Sequence, residues 1–357
     1  MKIGIVGLPN AGKTTLFNAL TAAGAETAVY PFTTVDPNVA VVEVPDGRLA
    51  PVATAARAGP VVAETIEFDD IAGLVRGAAD GEGLGNRFLA AIRETDAICH
   101  VVRAHSDEAV PHPEGSTDPM RDIEIVEAEL RAADLETARR RLESVTRQSH
   151  SGDKPAIAER AWLEAVVAAL EGGEPARSVP VPDAAPAAPR ELQALTWKPV
   201  LYVANVDEGE SGVPDAIAAR AEATGAGAVA VSARVEAELG ELERGEAAEM
   251  RAGLGLSEPG LERLVRAAYE LLGLITFFTA HEGVEARARS LPRGSTVWEA
   301  AGRVHTEVQA GFVRAEVIAW DELVEADGYA AARERGVLRT EGRDYVVADG
   351  DVVTIRH

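Results

Sequence analysis

The residues with the clearest chemical potential lie near the N-terminus, in the run GLPNAGKT at 7–14. This run fits the pattern G-x-x-x-x-G-K-[ST] at every fixed position. Glycines at this spacing let backbone N–H groups curl around a phosphate chain, where a side chain would block the approach. Lys13 would reach the β- and γ-phosphates, and the Thr14 hydroxyl would join the shell of a Mg²⁺ ion. The run therefore predicts a nucleoside triphosphate site whose binding residues are Asn10, Ala11, Gly12, Lys13, Thr14 and Thr15.

The neighbouring elements support this prediction. An apolar strand is predicted at 2–6, directly before the run, and a helix from Thr15 to Leu20 follows it. The motif requires this strand–loop–helix order. The positive end of the helix would add to the attraction for phosphate.

A second set of residues predicts the machinery of a nucleotide-dependent switch. The predicted strand 64–69 is followed by the pattern D-x-x-G at 70–73. Asp70 at a strand end can hold Mg²⁺ through its water shell, and the Gly73 N–H can contact the γ-phosphate. Upstream, the run YPFTT at 30–34 offers Thr33 or Thr34 to sense the γ-phosphate and the metal, and Thr34 is the predicted metal ligand.

The position after Gly73 is Leu74, where Ras-like enzymes carry a glutamine that orients the attacking water. Leucine cannot make that hydrogen bond, so another group must position the water. The sequence therefore predicts an enzyme that is slow alone or that uses a different catalytic element.

A third set of residues bears on the base. Guanine pockets use N-K-x-D at a strand end, whereas the predicted strand 199–204 is followed by NVDE at 205–208. Val206 replaces the lysine, and Glu208 moves the carboxylate by about 1.5 Å, which disrupts a bidentate fit to guanine. The Asn205 amide could instead pair with the donor and the acceptor of adenine, while Asp207 sits one residue too early to read guanine. With Ser232 and Ala233 backing the base, the sequence favours ATP over GTP.

Composition sets the outer limits. The chain has 357 residues and a net charge of −23, which opposes non-specific binding to DNA or to anionic membranes. No apolar run approaches the ~20 residues that span a bilayer, and the single Cys99 fits a reducing cytoplasm. We therefore expect a cytoplasmic protein with no membrane partner and no DNA partner. A monomer is also expected, although composition does not decide the oligomeric state.

The pattern along the chain predicts three parts. Strands at 2–6, 38–44, 64–69, 97–102, 199–204 and 228–231 predict an α/β domain spanning 1–120 and 199–273. Between its halves, residues 121–198 read as an inserted antiparallel α-helical arm, with Leu135, Ala138, Leu142 and Val145 on one helix stripe and a second helix at 156–170. The stretch 172–189 is rich in Pro and Ala and reads as an extended connector. Residues 274–357 predict a small α+β module with strands at 274–279, 296–297, 315–319, 345–347 and 352–355.

Taken together, these residues resemble the Obg-like translation-factor NTPases, and within them the Obg-like ATPase branch (YchF type). The landmarks are GLPNAGKTTLFNALT at 7–21, YPFTTVDPNV at 30–39, DIAGLVRGAADGEGLGNRFL at 70–89, NVDE at 205–208, LITFFTA at 274–280, GFVRAEVI at 311–318 and EGRDYVVADGDVV at 341–353. The likeness spans nearly the whole chain and departs mainly at 172–189.

The resemblance implies an α/β P-loop G domain, an inserted coiled-coil arm and a C-terminal α+β TGS domain with a ubiquitin-like β-grasp fold. It also implies hydrolysis of ATP to ADP and phosphate, and association with the ribosome and its rRNA. A histidine before the arm has a catalytic role in the family, which makes His112 the candidate here, and His112→Ala is expected to lower turnover while ATP affinity stays nearly intact. Asn10 matches an asparagine that some relatives use to hold K⁺ beside the phosphates. Lys13 and Gly73 complete the predicted catalytic set.

Two functional alternatives remain open at this point. One is a GTP-specific Obg-type GTPase, and the other is a nucleotide-sensing ribosome-binding module with negligible turnover. The acidic net charge is unexpected for a partner of rRNA and would require a local basic strip. Arg139, Arg140 and Arg141 form the densest basic cluster for such a strip.

Overall fold

The computed structural model describes residues 1–27, 38–71, 84–107, 110–112, 115 and 118–357. The strands are β1 (Lys2–Val6), β2 (Val39–Glu43), β3 (Val61–Val62), β4 (Thr65–Asp70), β5 (Ala97–Arg103), β6 (Val200–Asn205), β7 (Gly227–Val231), β8 (Leu274–Ala280), β9 (Ala286–Pro292), β10 (Arg314–Ala319), β11 (Arg339–Glu341) and β12 (Asp351–Arg356). The helices are α1 (Lys13–Thr27), α2 (Leu49–Ala55), α3 (Leu84–Arg93), α4 (Pro119–Ser149), α5 (Lys154–Glu171), α6 (Ala188–Leu192), α7 (Asp215–Thr224), α8 (Ala233–Leu239), α9 (Arg244–Gly253), α10 (Gly260–Leu271), α11 (Val297–Val304), α12 (Thr306–Ala310), α13 (Trp320–Ala326) and α14 (Tyr329–Arg335), with short 3₁₀ turns at Ala176–Ser178 and Leu195–Trp197.

The chain divides into two compact units by its internal contacts. The first unit comprises Met1–Val42 and Glu67–Ala267, and the second comprises Glu43–Ile66 and Ala268–His357. Among the described helices, none has the length and apolar character that a membrane crossing requires.

The first unit is built on a sheet with the strand order β2-β4-β1-β5-β6-β7. The pairs β1–β4, β1–β5, β5–β6 and β6–β7 are parallel. Strands β1 and β5 are almost wholly buried, as expected for a parallel sheet covered by helices on both faces. Because the carboxyl ends of parallel strands share one edge, the segments after β1, β5 and β6 meet there, and Asp70 ends β4 at the same edge.

The predicted arm is present between β5 and β6. Helix α4 begins at Pro119, and the Asp118 side chain caps it by accepting from the backbone N–H groups of Met120 and Arg121. Helix α5 runs antiparallel to α4, because Arg141 contacts Glu159 while Arg139 contacts Glu171 farther from the turn. Of the predicted stripe, Ala138 and Val145 are buried and Leu135 and Leu142 pack partly buried against them.

The stretch 172–189 differs from the extended connector that its composition predicts. It contains a 3₁₀ turn and reaches the start of α6, and it packs onto the arm through the buried residues Ala176, Ala185 and Ala188. The methyl groups of alanine fit against the arm helices, so a sequence rich in Ala is ordered by packing even though its prolines interrupt regular helix.

The second unit holds a mixed sheet with the order β11-β10-β12-β8-β9-β3. Strands β8 and β9 form an antiparallel hairpin, and β12 lies parallel to β8 and antiparallel to β10. The unit includes residues 43–66, which the sequence pattern assigns to the α/β domain. The physical reason is that β3 pairs with β9, and Leu49 and Val52 of α2 are buried in one core with Phe278.

Two predicted strands of the C-terminal region are wrong. Residue Val297 begins helix α11, because Thr296 and Glu299 form a reciprocal capping box that starts a helix there. At 345–347 the structure shows only an isolated bridge between Val346 and Thr296. The strand β9, which the sequence pattern does not predict, alternates small buried residues with arginines rather than with large apolar side chains.

Candidate functional site

The segment between β1 and α1 has the backbone conformation of a phosphate-binding loop. Asn10 and Gly12 adopt positive φ angles of 65° and 99°. At Gly12, a Cβ atom would lie 2.2 Å from Nδ2 of Asn205, so only glycine fits at this position. The first turn of α1, with Thr14 and Thr15 exposed, follows directly. Its free N–H groups can therefore receive an anion.

Lys13 lies inside this loop. The residue is 7% exposed, and its Nζ donates to the Leu8 carbonyl oxygen at 2.7 Å. Burial lowers the pKa of Lys13, while the nearby Asp70 carboxylate raises it. The ammonium is thus held at the loop with little competing solvent.

Asp70 ends β4 beside the loop. It is in register with Ile5 of β1, and its backbone N–H donates to the Asn38 carbonyl oxygen at 2.9 Å. Burial raises the pKa of the Asp70 carboxyl, and the charge of Lys13 lowers it. A carboxylate and the Thr14 hydroxyl at this edge are the oxygen ligands that Mg²⁺ prefers.

Asn205 connects the loop to the far side of the sheet edge. Its Nδ2 donates to the Ala11 carbonyl oxygen at 3.0 Å, and its Oδ1 accepts from the Ala233 N–H at 3.0 Å. The residue is 7% exposed. The side chain that the sequence pattern assigns to adenine therefore has both polar atoms in use as a structural tie, and that assignment is not supported by the geometry.

These segments surround a cavity of about 700 Å³. Most of the predicted binding residues line it, namely Asn10, Gly12, Lys13, Thr14, Thr15, Asn205, Val206, Glu208, Ser232 and Ala233. Six further residues complete the lining, namely His105, Ser106, Asp107, Val110, Asp207 and Arg234. A cavity of this size accepts a small-molecule ligand such as a nucleotide.

Comparison with known proteins places this arrangement in a family. A family model described as "50S ribosome-binding GTPase" matches residues 2–137, and the model of the YchF GTPase C-terminal domain, described as "Protein of unknown function (DUF933)", matches residues 274–357. The "Ribosome-binding ATPase YchF" of Bacillus subtilis is 47% identical over 99% of this chain and 98% of that protein. The protein of the same name from Escherichia coli O157:H7 is also 47% identical, over 99% and 98%. The chain belongs to the YchF family.

Solved structures agree with this assignment. The structure of the Schizosaccharomyces pombe YchF GTPase covers all of this chain and 97% of its own, with a TM-score of 0.87 and 32% identity. A GTP-binding protein from Pyrococcus horikoshii OT3 matches with a TM-score of 0.63 at 21% identity, which supports the fold alone. The α/β P-loop fold of the first unit is therefore that of the YchF family.

His112 is described by the structure but does not line the cavity. Its Nε2 lies 3.0 Å from Oδ2 of Asp122 in helix α4, and the His112 side chain is 6% exposed. Burial raises the pKa of Asp122, and the hydrogen bond from His112 lowers it. The segment before it is joined to the phosphate loop, because Asn10 Nδ2 donates to the Pro111 carbonyl oxygen at 3.0 Å.

Four residues singled out in the sequence lie outside the described part of the chain, namely Thr33, Thr34, Gly73 and Leu74. Within the described part, no group of three or more His, Cys, Asp or Glu side chains could hold a metal ion by itself. The metal prediction therefore rests on Thr14 and Asp70 together with phosphate and water oxygens.

The sequence analysis did not predict that residues 105–107 form one wall of the cavity, nor which side chains fix that wall in place. The Ser106 N–H donates to Oδ2 of Asp207 at 2.9 Å, and Arg103 donates to two backbone carbonyl oxygens of the same segment. One signal was available in the sequence. Arg103 follows six residues of an apolar strand and stands at the carboxyl edge, where a charge is rarely buried without a purpose.

Proposed function

We propose that this chain is a Mg²⁺-dependent ATPase that hydrolyses ATP to ADP and phosphate and associates with the ribosome in the cytoplasm. The observation that carries the proposal is the single cavity in which a phosphate-binding loop meets the segments Asn205–Glu208 and Ser232–Ala233. The bacterial relatives are named ribosome-binding ATPases, and the match to the G-domain model carries a ribosome-binding description.

The choice of ATP over GTP rests on Glu208 and Val206. The exposed Glu208 carboxylate lines the cavity, where it can reach a base. Its extra methylene moves the carboxylate by about 1.5 Å relative to aspartate. Asp207 is already engaged by the Ser106 N–H and is poorly placed to substitute for it. GTP remains the alternative, since the S. pombe relative is named a GTPase.

The loop residues perform the recognition of phosphate. The backbone N–H groups of Gly12, Lys13 and Thr14 and the Lys13 ammonium neutralise the β- and γ-phosphates. Thr14 and Asp70, with Thr34, would hold Mg²⁺, which when bound stabilises the charge that develops on the phosphoryl oxygens. The Asn10 amide oxygen is the atom left for K⁺, because Nδ2 donates to Pro111.

The second unit is proposed to be a TGS domain of the β-grasp type. Its parallel β8–β12 pair, which lies between antiparallel neighbours, supports this proposal.

His112 is the proposed water-positioning residue, alongside Lys13 and the Gly73 N–H. If the Asp122 carboxylate accepts from Nε2–H, the neutral imidazole carries its lone pair on Nδ1. That atom can orient a water molecule, whereas Leu74 cannot. In the structure the ring faces Asp122, so the role requires the ring to come within reach of the γ-phosphate.

The first experiment is calorimetric titration of nucleotide-free protein with Mg·ATP and with Mg·GTP in K⁺ buffer. We expect ATP to bind at least tenfold more tightly, which corresponds to about 1.4 kcal/mol. The variant Glu208→Asp should shift the preference toward GTP, because its shorter carboxylate regains the guanine fit. Glu210→Asp, in the same exposed turn but outside the cavity, is the matched control. Tighter binding of GTP by the unmodified protein would contradict the ATPase assignment.

The second experiment measures turnover at saturating Mg·ATP. We expect His112→Ala to lower kcat by about 10²-fold or more, the scale of general acid–base catalysis, with ATP affinity nearly unchanged. His150→Ala, at the exposed tip of the arm, is the matched control and should behave as the unmodified protein.

The same assay tests the K⁺ site, because rates should be higher in K⁺ than in Na⁺ if Asn10 holds K⁺. Unchanged kcat in His112→Ala would remove its role, equal rates in the two salts would remove the K⁺ site, and negligible turnover with and without ribosomes would favour the sensing module.

A further inference from the structure

Arg103 is a buried cation next to the nucleotide cavity that no sequence motif includes. It is the last residue of β5, is 3% exposed and is in register with Asn205 of β6. Its Nη1 donates to the Val110 carbonyl oxygen at 2.8 Å, and its Nη2 donates to the Asp107 carbonyl oxygen at 2.6 Å. A guanidinium can reach two carbonyl oxygens at once because its donors form a rigid planar fork.

The two residues that Arg103 holds form part of the cavity wall. Asp107 and Val110 line the cavity together with His105 and Ser106. The same wall is attached to the end of β6 from another side. There Asp207 Oδ2 accepts from the Ser106 N–H at 2.9 Å, and the Ala104 N–H donates to the Asn205 carbonyl oxygen at 2.9 Å.

The energetic cost of this arrangement argues against an incidental contact. A buried guanidinium loses its hydration, and charged groups are seldom buried without compensation. Within the described residues, the Nε of Arg103 is buried and has no hydrogen-bond partner. Arg103 therefore fixes the wall at the cost of desolvating its guanidinium. That cost is understandable if the wall positions a ligand.

We propose that Arg103 is a positioning residue for nucleotide binding, which acts by fixing the wall at 105–107 and Val110 on the cavity. The proposal rests on the proposed function, because it concerns the same cavity. Arg103 acts on the nucleotide through the wall, in concert with Asp207, which fixes the wall at Ser106. It therefore affects the affinity for ATP, and it affects the chemical step at saturating ATP much less.

The test measures the ATP dissociation constant and the saturated kcat of Arg103→Met. We expect the dissociation constant to rise about tenfold and kcat to change by less than threefold. This split is opposite to that expected for His112→Ala. Arg177→Met is the matched control, since Arg177 is partly buried and also donates to a backbone carbonyl oxygen, that of Thr196, outside this cavity. It should bind ATP as the unmodified protein does.

Two further variants keep the proposal falsifiable if Arg103→Met does not fold. Arg103→Lys retains the charge and can reach one carbonyl oxygen, so it should recover part of the affinity. Asp207→Ala removes the other anchor. Its effect combined with Arg103→Lys should be non-additive, because both residues fix one segment. Unmodified protein that binds no nucleotide contradicts the proposed function, whereas unmodified protein that binds ATP alongside Arg103 variants of equal affinity overturns only the present inference.

Discussion

At the scale of single residues, His100 shows how the sheet that carries the site depends on pH. It lies in β5, three residues before Arg103, and is 2% exposed. Its ring is 5.7 Å from that of Tyr202, and its Nε2 has no hydrogen-bond partner among the described residues. Burial lowers the pKa of His100 from 6.5 to about 4, with a smaller opposing effect from Glu127. The folded protein therefore keeps this imidazole neutral over a range in which the unfolded chain protonates it.

The consequence is a loss of stability in acid. Because the folded pKa of His100 lies below the unfolded value, its contribution is complete above pH 6.5 and is lost as the pH falls toward 4. Between pH 7.5 and 4.5 the loss from this residue is on the order of 2–3 kcal/mol. The variant His100→Gln, which does not titrate, should lose that much less in urea unfolding followed by circular dichroism. The exposed His150→Gln should follow the unmodified protein, and parallel pH curves for His100→Gln would contradict the argument.

Residue types were easier to predict than residue roles. The phosphate loop and the position of Glu208 could be read from spacing, because a local backbone motif fixes them. The role of Asn205 could not, since its partners Ala11 and Ala233 lie 194 and 28 residues away. The roles of Arg103 and Asp207 in fixing residues 105–107 were missed for the same reason. Their function depends on which loop the sheet brings beside them.

At the scale of elements, the arm also shows that local signals can be predicted from the sequence, whereas contacts between distant residues cannot. Its helices and their turn follow from capping residues and from an apolar stripe, which are local signals. The contact that attaches the arm to the rest of the first unit does not follow from local signals. Asp134, fully buried in α4, accepts from the N–H groups of Leu195 and Thr196 and from the Thr196 hydroxyl at 2.7–2.8 Å. From the sequence, an aspartate in the middle of a helix is expected to face solvent. Only the structure shows that Asp134 joins the arm to the segment that precedes β6.

The second unit extends this lesson to domain boundaries. Residues 43–66 lie between two strands of the first sheet, so a prediction in chain order assigns them to that sheet's domain. In the structure Arg48 forms ion pairs with Asp46 and with Asp349, the latter at 2.7 Å, and β3 extends the second sheet. A segment that crosses from one unit to the other leaves no mark in composition, because both cores are made of the same apolar residue types.

At the scale of the whole molecule, charge is the strongest constraint on a ribosomal partner. The chain carries 58 acidic and 35 basic residues, so binding to RNA must use a local surface. The arm cluster is a weaker candidate than its sequence suggests. Arg139 pairs with Glu171 at 2.5 Å, Arg140 with Glu136 at 3.1 Å, and Arg141 with Glu159 at 2.7 Å. Phosphate binding there must displace a carboxylate and leave it facing the phosphate.

Among the described residues of the C-terminal unit, some exposed arginines pair with a carboxylate, as Arg333 and Arg356 do with Glu316, whereas three others do not. Arg293, Arg303 and Arg314 are exposed, and none forms an ion pair within 4 Å of a carboxylate in the described part of the chain, although the charge of Arg293 acts on Asp349. Given the proposed ribosome association, replacing these three by glutamine should weaken co-sedimentation with ribosomes more than replacing Arg139, Arg140 and Arg141. For every RNA phosphate that a variant no longer neutralises, the slope of log affinity against log salt should fall by about 0.7–0.9. The arm variant should therefore change the slope by less than the value for one phosphate. A change equivalent to two or three phosphates in the arm variant would show instead that the arm carries the binding surface.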